Sequence, residues 1–115
     1  PGPRREKGTD GMKNVKITVL RKQLYEDFAE EHLTDGIQPC DFYEVGDTFL
    51  YTGGAEMPEG FCPWAWIDVY RSVSALSAGA TCTPWQKRDG VSVVCCTDGI
   101  RPVTFLLEAL EALPG

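Results

Sequence analysis

Two short cysteine-containing segments hold the residues of this sequence that are best placed to do chemistry. The first, PEGFCPWAW at residues 58–66, puts Cys62 directly before Pro63 at the predicted start of a helix. The second, VCCTDGIRP at residues 94–102, puts two adjacent cysteines at the predicted end of a strand, followed by an Asp-Gly turn and an arginine. A thiol in such a setting can be activated for nucleophilic or redox chemistry.

Cys62 is predicted to lie at or beside the N-cap of a helix, because Pro63 suits the first helical position. Unpaired backbone N–H groups and the positive end of the helix dipole face that position, and both stabilise a thiolate over a thiol. Burial against aromatic neighbours such as Trp64 has the opposite effect. Cys62 is therefore interpreted either as a catalytic thiol, with Trp64 binding the ligand, or as a small packed side chain.

The adjacent cysteines Cys95 and Cys96 must point to opposite faces of a regular strand. Strands are predicted at about 91–97 and 102–107, and the loop length between them decides the faces. A three-residue loop makes one face uniformly apolar, with Val91, Val93, Cys95, Val103, Phe105 and Leu107. A two-residue Asp-Gly turn does not, so the three-residue loop is preferred. We therefore expect Cys95 in the core and Cys96 on the opposite face, as the second catalytic candidate.

Arg101 and Asp98 are the candidate ligand-binding residues of the second segment. Arg101 could stabilise a thiolate at Cys96 or bind a carboxylate or phosphate group. The alternative is that Arg101 is an exposed charge or a partner for Asp98. Asp98 also has a complete structural explanation as a turn residue.

A non-catalytic binding or assembly domain, in which the tryptophans and cysteines serve only packing, is one alternative to a reactive thiol. A metal centre is another, because Cys40 lies in a loop that could approach either segment. Cys40, Cys62 and Cys96, with the single histidine His32 nearby, would supply ligands for zinc or iron. However, the sequence contains no C-x-x-C pair, the spacing that structural zinc sites commonly use. No P-loop or dinucleotide fingerprint occurs either, so no nucleotide cofactor is expected.

The elements that must position these residues are predicted from periodicity and from turn residues. Alternation from Val15 predicts a strand with one buried face, and residues 24–33 have helical spacing before Gly36. A turn at Gly46-Asp47 precedes a strand from about Thr48, and an apolar stripe predicts a long helix over 63–78. Residues 107–113 could continue as strand or form a short terminal helix, and their Leu-Glu-Ala repeat favours the helix. The fold class is therefore α+β, with an antiparallel sheet whose C-terminal-half hairpin packs on one main helix and a shorter N-terminal helix.

Length and charge limit the classes of partner. The 115 residues fit one domain, predicted over 12–115, with residues 1–11 as a disordered arm or an expression remnant before Met12. A net charge of -6 argues against binding to nucleic acid or to an anionic membrane. Neither a membrane-spanning stretch of ~20 apolar residues nor a signal peptide is recognisable. Five cysteines without an export signal favour free thiols in the cytoplasm, and a homodimer is plausible.

Seven short motifs together resemble a family of small prokaryotic proteins. They are VKITV at 15–19, EDFAEE at 26–31, PC at 39–40, EVGD at 44–47, PEGFC at 58–62, WAW at 64–66 and CCTDGIRPV at 95–103. Members of that family are about ninety residues long, enough for one domain. No activity is established for the family, so the resemblance implies membership and no mechanism. Four of the five cysteines lie in its motifs.

Overall fold

The computed structural model describes residues 12–110, which form one four-stranded antiparallel sheet and two helices. In chain order these are β1 (Val15–Lys22), α1 (Glu26–His32), β2 (Thr48–Tyr51), α2 (Pro63–Ser77), β3 (Val91–Cys96) and β4 (Val103–Ala109). The strand order across the sheet is β2-β1-β4-β3, and every neighbouring pair is antiparallel. The α+β prediction is confirmed, whereas the predicted N-terminal arm lies outside the described residues.

β1 has the predicted alternation, and its later half contains an irregularity that positions the site. Val15 and Ile17 are fully buried, while Lys16 between them is exposed. A β-bulge at Leu20 then shifts the pairing with β4 by one residue. Because of this shift, Lys22 pairs with Val103 on the core side of the sheet, and its Nζ donates a 2.7 Å hydrogen bond to the carbonyl of Tyr43.

α2 covers one face of the sheet and packs mainly on β3, with further contacts to β4 and β1. Val69 and Val73 are fully buried in the core, and Trp66 packs against the same cluster as Phe105. The predicted apolar stripe is thus core packing. Gly79 ends the helix at a φ of +99°, a conformation that glycine adopts readily. Neither helix in the described part of the chain is long and apolar enough to cross a membrane.

The predicted register of the C-terminal hairpin is wrong. Cys96 pairs with Val103 and Cys95 pairs with Thr104, so Cys95 lies on the exposed outer face and Cys96 on the core side. The loop between the two strands comprises residues 97–102 and is therefore longer than the predicted three residues. The reason is local: Asp98 Oδ1 accepts hydrogen bonds from the N–H groups of Ile100 and Arg101, and this turn ends the ladder at Cys96.

The helix predicted over 107–113 is also wrong where the structure describes it. β4 continues through Ala109, where Leu107 pairs with Ile17 and Ala109 pairs with Val15. Pairing with the central strand therefore overrides the helical preference of the Leu-Glu-Ala repeat. Residues 111–113 lie outside the described range.

Candidate functional site

A cavity of about 330 Å³ lies where the start of α2, the end of β3 and the loop before β2 meet. All six residues selected from the sequence as catalytic, ligand-binding or metal-binding line it. The structure adds two further residues from the loop before β2 and from the start of β4. The complete lining is Cys40, Tyr43, Cys62, Trp64, Cys96, Asp98, Arg101 and Val103. Segments distant in sequence thus bring three thiols to one cavity.

Cys62 is the N-cap residue of α2, as predicted, and Pro63 takes the first helical position. The carbonyl of Cys62 accepts the first intrahelical hydrogen bond, from the N–H of Trp66 at 2.9 Å. Its side chain makes no capping hydrogen bond. Phe61 is 2% exposed and packs between Phe49 and Phe105, so the chain entering the helix is anchored in the core. The thiol of Cys62 is therefore held at the mouth of the helix and beside the cavity.

Tyr43 fixes the backbone of Cys62 from the opposite wall of the cavity. The Tyr43 hydroxyl accepts a 3.1 Å hydrogen bond from the Cys62 N–H. The ring is 1% exposed and packs against Phe49, Phe61 and Phe105 at centroid distances of 5.4–5.7 Å. Burial raises the pKa of Tyr43 well above its ordinary value, so the hydroxyl stays neutral. Sequence patterns did not indicate Tyr43, because it lies in an irregular segment.

Cys96 is a protonated thiol. Burial first, and then the negative charge of Asp68, raise the pKa of Cys96 to about 12. The Asp68 carboxylate accepts a 3.2 Å hydrogen bond from the N–H of Thr97, the residue after Cys96. Asp68 lies on α2, and no sequence pattern indicated it. A thiol in this state attacks only when a base takes its proton.

Arg101 is bonded to Asp98, which is the alternative that the sequence left open. Its Nε donates a 2.9 Å hydrogen bond to Asp98 Oδ2. Partial burial opposes ionisation of Asp98, but hydrogen bonds from the N–H groups of Arg101 and Ile100 and from the guanidinium lower its pKa overall. Within residues 12–110, the terminal amino groups of Arg101 make no hydrogen bond. They remain able to bind an anionic group in the cavity.

Cys40 and Trp64 complete the lining of the cavity. Cys40 comes from the loop before β2, and the hydrogen bond to Asp98 raises the pKa of Arg101 in the same lining. Trp64 is 62% exposed although it lines the cavity, so its indole forms part of the rim. A ligand in the cavity could therefore contact both the Arg101 guanidinium and the Trp64 ring.

The three cysteines among the predicted metal ligands share the cavity, whereas His32 does not. Among the described residues, no set of three or more His, Cys, Asp or Glu side chains is arranged to hold a metal ion. His32 is 61% exposed on α1 and lies beside Glu31, away from the cavity lining. Cys40, Cys62 and Cys96 are all free thiols.

The sequence matches no protein-family model, and no curated protein or solved structure is detectably similar to it. Any functional assignment therefore depends on the chemistry of the cavity itself.

Proposed function

We propose that this protein binds a small ligand bearing a carboxylate group in the cavity and that Cys62 reacts with that ligand as a nucleophile. The observation that carries the proposal is the convergence of three free thiols, an arginine and an exposed tryptophan on one cavity of about 330 Å³. A packed structural cysteine needs none of these neighbours.

Each side chain has a distinct role in this proposal. Cys62 attacks, because the start of α2 stabilises the negative charge of a thiolate. The terminal amino groups of Arg101 bind the carboxylate, and Asp98 holds the guanidinium in place. Trp64 packs on the apolar part of the ligand. Tyr43 holds the Cys62 backbone in position.

We also propose that the chain works in a reducing compartment such as the cytoplasm and belongs to the small prokaryotic family that it resembles. A reactive thiol must stay reduced to act, and all five cysteines are free. Motifs on which the resemblance rests supply Cys40, Cys62, Cys96 and Arg101 to the cavity lining.

The test compares alkylation of Cys62 by iodoacetate, which carries a carboxylate, and by neutral iodoacetamide. If Arg101 binds the carboxylate, the ratio of the two rates is higher in the folded protein than in urea. We expect an increase of about tenfold, since a hydrogen bond to a charged group contributes about 1.5 kcal/mol. Arg101→Gln should abolish the increase.

Arg71→Gln is the matched control, because Arg71 is an exposed arginine of α2 outside the cavity lining, and it should keep the increase. Equal ratios in folded and unfolded protein would contradict the role of Arg101. Elemental analysis of protein purified without chelator tests the alternative of a metal-binding module. Bound zinc or iron would favour that alternative over a reactive thiol.

A further inference from the structure

The cavity contains a second thiol with a carboxylate beside it. Asp68 accepts a 3.2 Å hydrogen bond from the N–H of Thr97, the residue after Cys96. Burial, and after it the negative charge of Asp68, raises the pKa of the Cys96 thiol. A cysteine that served only packing would not need a carboxylate at its sulfur. When the sulfur of Cys96 forms a bond, Asp68 is in place to take the proton.

The cavity lacks the partner that most nucleophilic cysteines use to activate water. His32 is the only histidine of the chain, and it is exposed on α1 outside the cavity lining. Asp98 is committed to Arg101 and to two backbone N–H groups. Hydrolysis through an acyl-enzyme needs a base beside the attacking group, whereas thiol–disulfide exchange needs two thiols and a proton acceptor. The described residues supply the second set.

We propose that the ligand of this cavity is a small disulfide bearing carboxylate groups, and that Cys96 is the resolving thiol for the mixed disulfide formed at Cys62. This proposal rests on the proposed function, because it requires Cys62 as the nucleophile and Arg101 as the carboxylate anchor. It adds the class of substrate, a role for Cys96 and a role for Asp68 as its proton acceptor.

The reaction has two steps. The Cys62 thiolate attacks one sulfur of the small disulfide, the old sulfur–sulfur bond breaks, and the first small thiolate leaves. The sulfur of Cys96 then attacks the sulfur of Cys62, its proton passes to Asp68, and the second small thiolate leaves. The two protein thiols are oxidised to one disulfide, and the small disulfide is reduced to two thiols. Asp68 returns its proton to solvent or to the leaving thiolate.

The position of Cys96 supports this assignment over that of Cys95. Cys96 is on the core side of β3 and lines the cavity, whereas Cys95 points to the outer face. The start of α2 and the end of β3 bring Cys62 and Cys96 to the same cavity, and α2 packs mainly on β3. Cys40, in contrast, belongs to the loop before β2.

The test uses dithiobisnitrobenzoate, a disulfide with one carboxylate on each half, mixed in less than equimolar amount with reduced full-length protein. Each molecule of reagent should release two coloured thiolates, and peptide mapping should find a Cys62–Cys96 bond. Cys96→Ser and Cys96→Ala should release one thiolate and keep the mixed disulfide on Cys62. Asp68→Asn should slow the second release by about a hundredfold, the lower end of general-base contributions. Cys95→Ser should still release two thiolates.

The outcomes separate the two proposals. A stable mixed disulfide at Cys62 in the wild type, with one thiolate released, overturns the role of Cys96 and leaves Cys62 as the reactive thiol. The role of Cys96 is also overturned if Cys40→Ser releases one thiolate per reagent molecule while Cys96→Ser still releases two. If the reagent does not react preferentially at Cys62, the proposed function itself is wrong.

Discussion

The hydroxyl oxygen of Tyr43 lies 3.1 Å from the backbone nitrogen of Cys62 and accepts its hydrogen bond. This contact joins the loop before β2 to the N-cap of α2. Lys22 holds the same loop from the sheet side through the Tyr43 carbonyl. A buried aromatic cluster therefore determines where the Cys62 thiol stands.

Replacing Tyr43 by phenylalanine removes this acceptor and keeps the ring. We expect the free energy of unfolding to fall by about 1–3 kcal/mol, because a partly buried N–H loses its partner. Alkylation of Cys62 should slow as well. Tyr51→Phe is the matched control: Tyr51 is equally buried, and its hydroxyl accepts a 3.0 Å hydrogen bond from the Ala55 N–H. It should destabilise the protein without slowing Cys62, and equal Cys62 rates in the two variants would contradict the anchoring role.

The reactivity of Cys96 should depend on pH through Asp68. With a pKa of about 12, Cys96 has little thiolate at neutral pH, so its alkylation should rise steeply only in strongly alkaline buffer. Asp68→Asn removes the negative charge but keeps an oxygen that can accept from Thr97. The rise should then begin at lower pH, whereas at neutral pH, where Cys96 keeps its proton until Asp68 takes it, the reaction should be slower. Mass spectrometry in a Cys95→Ser background measures this, and an unchanged profile in Asp68→Asn would refute the electrostatic cause.

The stability of the protein should also depend on Cys96 in alkaline solution. Its folded-state pKa of about 12 exceeds that of a free thiol, so the folded state holds the proton more tightly. The contribution is complete below about pH 8.5 and decreases as pH rises towards 12. Urea unfolding of wild type and Cys96→Ala should therefore show a stability difference that shifts against the wild type above about pH 9. A stability difference that stays constant with pH would contradict the raised pKa of Cys96. Because Tyr43 is present in both proteins, its effect on alkaline stability does not enter the difference.

The hairpin register can be tested with two neighbouring valines. Val94 packs against the core opposite Phe105, whereas Val93 is 46% exposed on the outer face. Val94→Asp should cost more than about 2 kcal/mol in the free energy of unfolding, since it places a charge against the core. Val93→Asp should cost about 1 kcal/mol, from β-propensity alone. The opposite ranking, measured by denaturant unfolding, would restore the three-residue loop.

Local signals in the sequence predicted most of the elements correctly. Pro63 and Gly79 mark the ends of α2, and the alternation from Val15 to Val19 marks the buried face of β1. The hairpin register failed because both faces of β3 carry apolar residues, so uniform apolarity could not choose between them. The deciding factor was the Asp98 turn, whose hydrogen bonds lengthen the loop.

The sequence patterns identified the cysteines and Arg101 of the candidate site. They did not identify the residues that position these side chains or shift their pKa values. Tyr43 acts through a contact between segments 19 residues apart in sequence, and Asp68 acts through a contact across 29 residues. Neither residue has periodicity or a motif, so only the folded chain shows what each one contacts. The Asp98–Arg101 pair, in contrast, is local and was among the alternatives.

Activation of Cys62 by folding is tested by its alkylation rate with iodoacetamide at neutral pH, measured in folded and in urea-unfolded protein. Cys95, which is exposed on the outer face of the sheet, is the internal control. Cys62 should react faster in the folded protein than in the unfolded chain, while the rate of Cys95 should not increase on folding. If Cys62 reacts more slowly when folded, the thiol is packed and inert, and the proposed function is wrong.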